Sequence, residues 1–371
     1  MSRESGLNAY ARILNMASSH RESSFDFFSF TMHNLDEIYR VDEIAADHET
    51  AIGLPIVSPG GSGANTAYAL AMLGMNVGVG GAIAADEKGK ILLESLRIAK
   101  INTRHLIVAQ EAPNHYSGRA IVILDGSGSR SIYTYDGVNS QFASLVSSSQ
   151  VNLNFDAIYP KITHFSSFTS DAEKNFCQNI AMQMPSDSLL AFTPGFLYAK
   201  KGLNYITKIL LRSNIVFLYE RQLQMLVEPI GSWPGEKLET SIGRLFDWCF
   251  SNGHHGPLMV SVRRSFARTK PLQGPEYLTI SCGASSAEAA IHPQISDLGR
   301  VIPFRKEYGL GAGDALAAGI IYGVLKGLPL QEVADVACVL AAYISSAEDA
   351  RSAVPDEASL LKTVRQLKSC F

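Results

Sequence analysis

The chain has 371 residues, of which 46% are apolar and 18% are charged. This length suits one large α/β domain or two smaller ones, and the apolar share is enough to bury a sizeable core. The 32 basic and 35 acidic residues give a net charge of −3. This near-balance argues against a protein that binds nucleic acid or a membrane surface, since those usually carry a basic excess.

Neither the cysteines nor the N-terminus indicates a secreted or membrane protein. The five cysteines are far apart and form no Cys-x-x-Cys pair, so they are expected to be thiols in a reducing cytoplasm. No run of about 18 apolar residues is present, and residues 1–24 lack the apolar core of a signal peptide. We interpret residues 1–24 as an extension, with a short amphipathic surface helix or tail at Leu7–Met16.

From residue 25 onward, short apolar runs alternate with segments of helical periodicity. Strands are predicted at Phe25–Phe30, Asn76–Ala84, Ser188–Phe192, Ile215–Leu218 and Leu258–Val262. Helices are predicted at Gly63–Leu73, Glu87–Ala99, Ala315–Lys326, Leu330–Ser346 and Glu357–Lys368. This alternation implies an α/β fold with a Rossmann-like, mostly parallel sheet and helices on both faces. Ligands of such sheets bind at the carboxyl ends of the strands.

One segment departs from the βαβ pattern. Ser117–Leu124 reads as a strand, Asp125–Gly128 as a turn, and Ser129–Tyr135 alternates polar and apolar residues. This pattern predicts a β-hairpin with one solvated face. Because it interrupts the alternation of strands and helices, the hairpin is expected to belong to a separate small sheet.

The strongest local feature is the glycine turn Gly309–Gly313, which opens directly into a helix with Asp314 in its first turn. The first N–H groups of a helix have no internal partners, and Gly311 and Gly313 let an anion approach the backbone closely. A carboxylate beside an anion site suits phosphoryl transfer, where an Asp accepts the proton of the attacking hydroxyl. The alternative is an Asp that only complements the helix dipole.

A second glycine turn, Gly60-Gly61-Ser62-Gly63, also leads into a helix and places Asn65 in its first turn. The Asn65 amide can hydrogen-bond a substrate hydroxyl, or the segment is a loop with a helix cap. No Lys-Ser/Thr pair follows, so the segment is not a Walker A loop, and its spacing does not fit a dinucleotide-binding fingerprint.

These two segments, about 250 residues apart, together resemble the two signatures of the ribokinase-like (PfkB-type) family of carbohydrate and nucleoside kinases. The similarity extends over most of the chain and implies one kinase domain, residues 25–371, with lid strands from about 36–57 and 112–137. The matching residues are Gly60-Gly61, Asn65 and Leu73-Gly74 for the first signature, Ala84-Ala85-Asp86 and Gly89 for the next element, Gly311–Asp314 for the second signature, Asp36 after the first strand, and Gly137-Val138-Asn139 after the lid hairpin.

The resemblance implies transfer of the ATP γ-phosphate to a hydroxyl of a sugar, nucleoside or related molecule, with Mg²⁺ and in some members a monovalent cation such as K⁺. The lid would exclude water, which competes as a phosphoryl acceptor. By resemblance, the residues take these roles: Asp36, Gly60, Gly61 and Asn65 hold the substrate, Gly311, Ala312 and Gly313 form the anion hole, Asp314 is the base, and Glu220, Arg263 and Gly309 contact the nucleotide, Glu220 also serving the metal.

Three departures from the family pattern lie around the nucleotide. The family usually has Asn-x-x-Glu after the middle strand, where this chain has Tyr219 and Gln222, with Glu220 as a substitute for the missing acid. A neutral Gln cannot supply the charge that holds hydrated Mg²⁺. The other two departures are Arg263-Arg264-Ser265-Phe266 in place of Gly-x-x-Gly, and Tyr308-Gly309-Leu310 in place of Asp-Thr-Thr.

These departures leave two hypotheses of different classes, beside a remote third in which the chain is an unrelated α/β enzyme. The first is an active sugar or nucleoside kinase with Asp314 as the base. The second is a kinase-fold protein that binds a small ligand or a protein partner with little or no catalysis. The sequence favours neither a sugar nor a nucleoside, and it allows a monomer or a homodimer formed through the exposed edge of the lid hairpin.

Overall fold

The computed structural model describes residues 9–19, 23–126, 129–148, 158, 160–264, 276–291, 294–297, 300–303 and 309–369, and Ser265, Phe266 and Tyr308 lie outside them. The strands within these ranges are β1 (Phe25–Phe30), β2 (Asn34–Val41), β3 (Ile56–Gly60), β4 (Val77–Ala84), β5 (Leu106–Ala109), β6 (Gly118–Asp125), β7 (Arg130–Tyr135), β8 (Pro160–Ser166), β9 (Leu189–Thr193), β10 (Ile215–Tyr219), β11 (Met259–Arg264), β12 (Glu276–Cys282), β13 (Ser285–Ile291), β14 (Gln294–Asp297) and β15 (Arg300–Pro303).

The helices of the described part of the chain confirm each helix expected from periodicity. None of them is long and apolar enough to cross a membrane. They are α1 (Ala9–Ser19), α2 (Ser62–Met72), α3 (Glu87–Ile98), α4 (Phe142–Ser148), α5 (Asp171–Gln183), α6 (Gly195–Ala199), α7 (Leu203–Arg212), α8 (Glu220–Val227), α9 (Leu238–Ser251), α10 (Ala312–Leu325), α11 (Leu330–Ile344) and α12 (Glu357–Ser369), with short 3₁₀ turns at Gly137–Gln141 and Glu228–Ile230.

Among the described residues, nine strands form the main sheet in the order β13-β12-β11-β10-β9-β8-β1-β4-β5. The strands from β11 through β5 pair in parallel, and β12 and β13 add an antiparallel edge. The mixed α/β fold predicted from the sequence is confirmed. Its carboxyl edge gathers the loops that follow β1, β4, β10 and β11, which is where an α/β sheet binds ligands.

Helices cover both faces of the main sheet, which explains why its strands are continuous apolar runs. In β1, Phe27 packs into the core beneath α2, α10 and α11, whereas Phe28 packs into the core beneath α5, α7 and α9. Successive side chains of a strand point to opposite faces, so a strand buried on both faces needs apolar residues at every position.

A separate sheet of order β3-β2-β6-β7 is present, as the hairpin pattern predicted, and we refer to it as the lid after the family resemblance. Two polar residues fix it to the main domain. Asp86, the N-cap of α3, accepts hydrogen bonds from the backbone and side chain of Ser117, just before β6. Asn139, just after the lid, bonds both backbone groups of His33, which lies between β1 and β2. Asp86 and Asn139, two residues of the family pattern, therefore hold the two ends of the hairpin.

The helix expected near the N-terminus forms as α1, but it is more than a surface appendage. Ile13 on this helix is fully buried in the core shared with α10, and Tyr10 donates a hydrogen bond to the carbonyl of Leu328. The expectation of a surface helix or tail is therefore wrong for this face of α1, because its apolar stripe completes the layer behind α10.

Candidate active site

The glycine turn ends at Gly311, which is the N-cap of α10 and has a φ of +80°. This left-handed conformation favours glycine, and a Cβ there would lie 2.4 Å from the Cβ of Ala350. Within the described residues, the N–H groups of Gly313 and Asp314 have no acceptor, while that of Ala312 bonds the carbonyl of Gly309 at 3.4 Å. Donors without partners at the start of a helix can bind an anion, and the anion hole at Gly311, Ala312 and Gly313 stays a prediction.

Asp314 is the third residue of α10, and its carboxylate is held on both oxygens. The Ser62 hydroxyl donates to Oδ1 at 2.6 Å, and the Asn65 amide donates to Oδ2 at 3.0 Å. The structure thus joins the two glycine segments at one carboxylate. Burial raises the pKa of Asp314 to about 6, although these two hydrogen bonds and the charges of Arg130 and Arg351 lower it.

Asn65 is fixed between Asp314 and a residue that the sequence did not single out, Arg351. The Nε atom of Arg351 donates to Oδ1 of Asn65 at 2.9 Å. Because a guanidinium group only donates, the oxygen of the amide must face Arg351, and its NH₂ group is left for Asp314. Arg351 therefore determines which hydrogen bond Asn65 offers to the carboxylate.

Arg351 follows α11 and is 6% exposed. Its other hydrogen bonds reach the carbonyl of Gly60 at 3.2 Å and the hydroxyl of Ser95 at 2.9 Å, and its guanidinium lies over the ring of Tyr68. Burial lowers the pKa of Arg351 to about 10, which leaves the group charged at neutral pH. No local sequence pattern distinguishes this arginine, because its partners lie hundreds of residues away.

Asp36 lies on β2 and is 7% exposed, yet no described residue donates a hydrogen bond to its carboxylate. It packs against Gly60, where an added Cβ would lie 2.1 Å from Oδ2. Burial raises the pKa of Asp36 to about 7, with Asp314 and Asp349 adding to the rise and Arg351 opposing it. A buried carboxylate without partners is suited to accept hydrogen bonds from a ligand hydroxyl.

The remaining residues that were predicted to hold the substrate lie in the turn before α2. Gly61 has a φ of +99°, and a Cβ there would lie 2.2 Å from the carbonyl oxygen of Met32. The chain after β1 and the turn before α2 can approach this closely only because position 61 lacks a side chain. Gly60, Gly61, Asn65 and Asp36 therefore come together beside Asp314, as the family resemblance implies.

The lid reaches the glycine turn through Arg130 at the start of β7. Its Nη1 atom donates to the carbonyl of Gly309 at 3.4 Å, and its charge lowers the pKa of Asp314. Gly309 itself is buried. The sequence identified Arg130 only as part of the lid, although a basic residue at the tip of a lid hairpin is a usable signal for contact with a phosphate.

Glu220 and Arg263, which were named for the nucleotide, lie at the ends of β10 and β11. The carboxylate of Glu220 lies 4.0 Å from Nε of Arg264. Arg263 is 6% exposed and forms a buried ion pair with Glu276. Gln222 accepts a hydrogen bond from the backbone N–H of Tyr219 at 3.0 Å, so it caps α8. The contacts of Glu220, Arg263 and Gly309 with a nucleotide stay predictions.

The chain is similar in sequence and in fold to known carbohydrate and nucleoside kinases. The family described as pfkB family carbohydrate kinase matches residues 38–224. An uncharacterized sugar kinase of Archaeoglobus fulgidus is 25% identical over 289 residues, 77% of this chain and 98% of that protein. Two solved structures share the fold: ribokinase of Cryptococcus neoformans with ADP (TM-score 0.70, 19% identity, 91% and 99% of the two chains) and a nucleoside kinase of Burkholderia thailandensis with inosine (0.69, 14%, 92% and 98%).

Proposed function

Because the chain belongs to the pfkB family of carbohydrate kinases, we propose that it transfers the γ-phosphate of ATP to a hydroxyl of a sugar or nucleoside. The observation that carries this proposal is the position of Asp314, a half-buried carboxylate beside unpartnered N–H groups at the start of α10. The carboxylate can accept a proton where the N–H groups can hold the transferred phosphoryl group.

Asp314 acts as the general base in this mechanism. A base is most effective when its pKa lies near the working pH, and burial raises the pKa of Asp314 to about 6. The group is therefore mostly ionised at neutral pH, yet it binds a proton more readily than an exposed Asp. Ser62 and Asn65 orient the carboxylate by donating to both of its oxygens.

The acceptor molecule would lie under the lid, against Asp36, Gly60, Gly61 and Asn65. The unpartnered carboxylate of Asp36 would accept hydrogen bonds from adjacent hydroxyl groups, the feature that sugars and the ribose of nucleosides share. The sugar kinase and inosine-bound nucleoside kinase similar to this chain support both substrate classes. An acceptor lacking these hydroxyls would leave Asp36 buried without a partner, which disfavours its binding.

The nucleotide would bring Mg²⁺ with it. Among the residues that the structure describes, no cluster of three His, Cys, Asp or Glu side chains could hold a resident metal. Mg²⁺ commonly retains waters and binds substrate phosphates, so Glu220 would need only to hold part of its water shell. When bound, the metal supplies charge neutralisation on the phosphates. A monovalent cation such as K⁺ stays part of the proposal by family resemblance.

We also propose that the protein works in the cytoplasm, as a monomer or as a homodimer paired through the lid. The four cysteines of the described residues are buried thiols, which fits a reducing compartment. The lid ends at the edge strand β7, where Ile132 and Tyr133 are exposed. An exposed strand edge with apolar residues can pair with a second copy.

The proposal is tested by ADP release from Mg-ATP over a panel of sugars and nucleosides. One acceptor should give turnover, and Asp314→Asn should lower kcat by about 10²–10⁴-fold, the usual contribution of a general base. The matched control is Asp171→Asn, which removes an exposed surface carboxylate and should leave kcat unchanged. Turnover that survives in Asp314→Asn would show that another group takes the proton.

A second function has specific support from the residues predicted to contact the nucleotide. Tyr219 contacts Gly313, Arg263 is engaged by Glu276, and Gln222 caps a helix. These contacts fit a kinase-fold protein that binds a ligand or partner with little catalysis. Thermal stabilisation by one ligand, independent of ATP and without ADP release from any acceptor, would favour this function over the kinase.

A further inference from the structure

Tyr219 brings a phenol hydroxyl to the anion hole. It is the last residue of β10, and its side chain reaches across to the first turn of α10. A Cβ added to Gly313 would lie 2.4 Å from the Tyr219 hydroxyl oxygen and 3.0 Å from Cζ. The hydroxyl therefore lies directly beside Gly313, whose N–H has no acceptor among the described residues.

Arg263 determines which way this hydroxyl can donate. Tyr219 and Arg263 are register partners on the neighbouring strands β10 and β11, and Nη1 of Arg263 donates to the phenol oxygen at 3.2 Å. Glu276 holds the same guanidinium from the other side, through Nε at 2.8 Å and through Nη2. A guanidinium group has no acceptor, so the proton of the Tyr219 hydroxyl must point away from Arg263.

No described residue accepts that proton, since the hydrogen bonds of Tyr219 are those to Gln222 and from Arg263. The phenol is thus an O–H donor, polarised by a buried cation and placed at the anion hole. Hydrogen bonds that involve a charged group are shorter and roughly twice as strong as neutral ones. An oxyanion at this place is the partner that the hydroxyl lacks.

We propose that Tyr219 donates a hydrogen bond to the terminal phosphoryl oxygen of the nucleotide during transfer, alongside the N–H groups of Gly313 and Asp314. This inference rests on the proposed kinase function and adds a catalytic residue to it. It also gives a role to one departure from the family pattern, because a tyrosine here supplies a donor from a strand end to the same phosphoryl group.

The test compares Tyr219→Phe with Tyr205→Phe, a control whose hydroxyl bonds Asp171 and Lys201 at the protein surface. Steady-state kinetics give kcat and the KM for ATP and for the acceptor. Isothermal titration gives the affinities for ADP and for a non-hydrolysable ATP analogue. Loss of one oxyanion donor should lower kcat by about 10²-fold while KM for the acceptor stays within about threefold, and the control should match the wild type.

The possible outcomes distinguish the donor role of Tyr219 from the proposed kinase function. If the wild type turns over and Tyr219→Phe keeps or exceeds its kcat, the inference is wrong and the kinase function stands. If the wild type has no turnover but prefers the ATP analogue to ADP, loss of that preference in Tyr219→Phe supports the donor role and rejects the kinase function. If a wild type without turnover shows no preference for the ATP analogue, or if Tyr219→Phe keeps that preference, both the donor role and the kinase function are rejected.

Discussion

The substitution Arg351→Met tests how the residues of the candidate site are held in place. The substitution keeps most of the length of the side chain and removes its charge and its three hydrogen bonds, to Asn65, Gly60 and Ser95. At ~1.5 kcal/mol for each bond from a charged donor, the loss amounts to about 4–5 kcal/mol. Burying an uncharged methionine costs less free energy than burying a charged arginine, and this offsets part of the loss from the three hydrogen bonds. We therefore expect the free energy of unfolding to fall by about 2–4 kcal/mol.

The same substitution should change the pH profile of kcat/KM. Arg351 lowers the pKa of both Asp36 and Asp314, so removing its charge raises both. The base is active when ionised, and activity is therefore lost as the pH falls through its pKa, near 6 in the wild type. One nearby opposite charge moves a carboxyl pKa by about one unit or more, so the ascending limb should move to about pH 7.

A rise of about one unit in the pKa of Asp314 makes the loss of activity in Arg351→Met depend on pH. At a pH of about 6.5, the ionised fraction of Asp314 would fall about threefold, and near pH 8.5 it would hardly change. The profile is measured with saturating Mg-ATP, with Arg365→Met, an exposed arginine on α12, as the control. An Arg351→Met protein that is folded but loses activity equally at every pH would refute the electrostatic role of Arg351.

Two further predictions concern packing. Gly60→Ala places a Cβ within 2.1–2.4 Å of the Asp36 carboxylate and should displace it, raising the acceptor KM by about tenfold, a factor equal to ~1.4 kcal/mol. Gly53→Ala, with open space around it, is the control, and an unchanged KM in Gly60→Ala would mean that Asp36 does not bind the acceptor. Ile13→Ala should lower unfolding free energy by about 2–4 kcal/mol in urea unfolding, with kcat retained. Stability equal to that of Arg12→Ala, at an exposed position of α1, would show that α1 is not part of the cooperative core.

The parts of the fold that depend on local sequence could be predicted. Family membership and the mixed α/β fold are confirmed, since the pfkB match covers residues 38–224 and the periodic helices form with ends shifted by a few residues. The antiparallel edge formed by β12 and β13 was not predicted. Its strands carry Ser, Thr and Glu between short apolar residues, as in Ser285–Ile291, and this composition does not separate a strand from a loop.

The residues of the candidate site likewise divide into those with a local sequence signature and those without one. The glycine turns and Asp314 have local signatures, because helix starts, positive φ angles and close backbone approach require particular residue types. Ser62 could have been found, since it precedes Asn65 in the same helical turn. Arg351 could not, because it reaches Asn65 from 286 residues further along the chain. Such long-range contacts follow from the packing of α11 and its loop, which no short motif encodes.

The carboxylates of Asp36 and Asp314 should influence each other when the acceptor binds. Asp36 has a pKa of about 7 and no hydrogen-bond donor, so its proton is held only weakly near neutral pH. Hydroxyl groups that donate to Asp36 would favour its ionised form. A full negative charge on Asp36 would then raise the pKa of Asp314, because interaction between like charges is reciprocal. Binding of the acceptor would therefore make Asp314 a stronger base when the hydroxyl to be deprotonated has arrived, and the charge of Arg351 would oppose this rise.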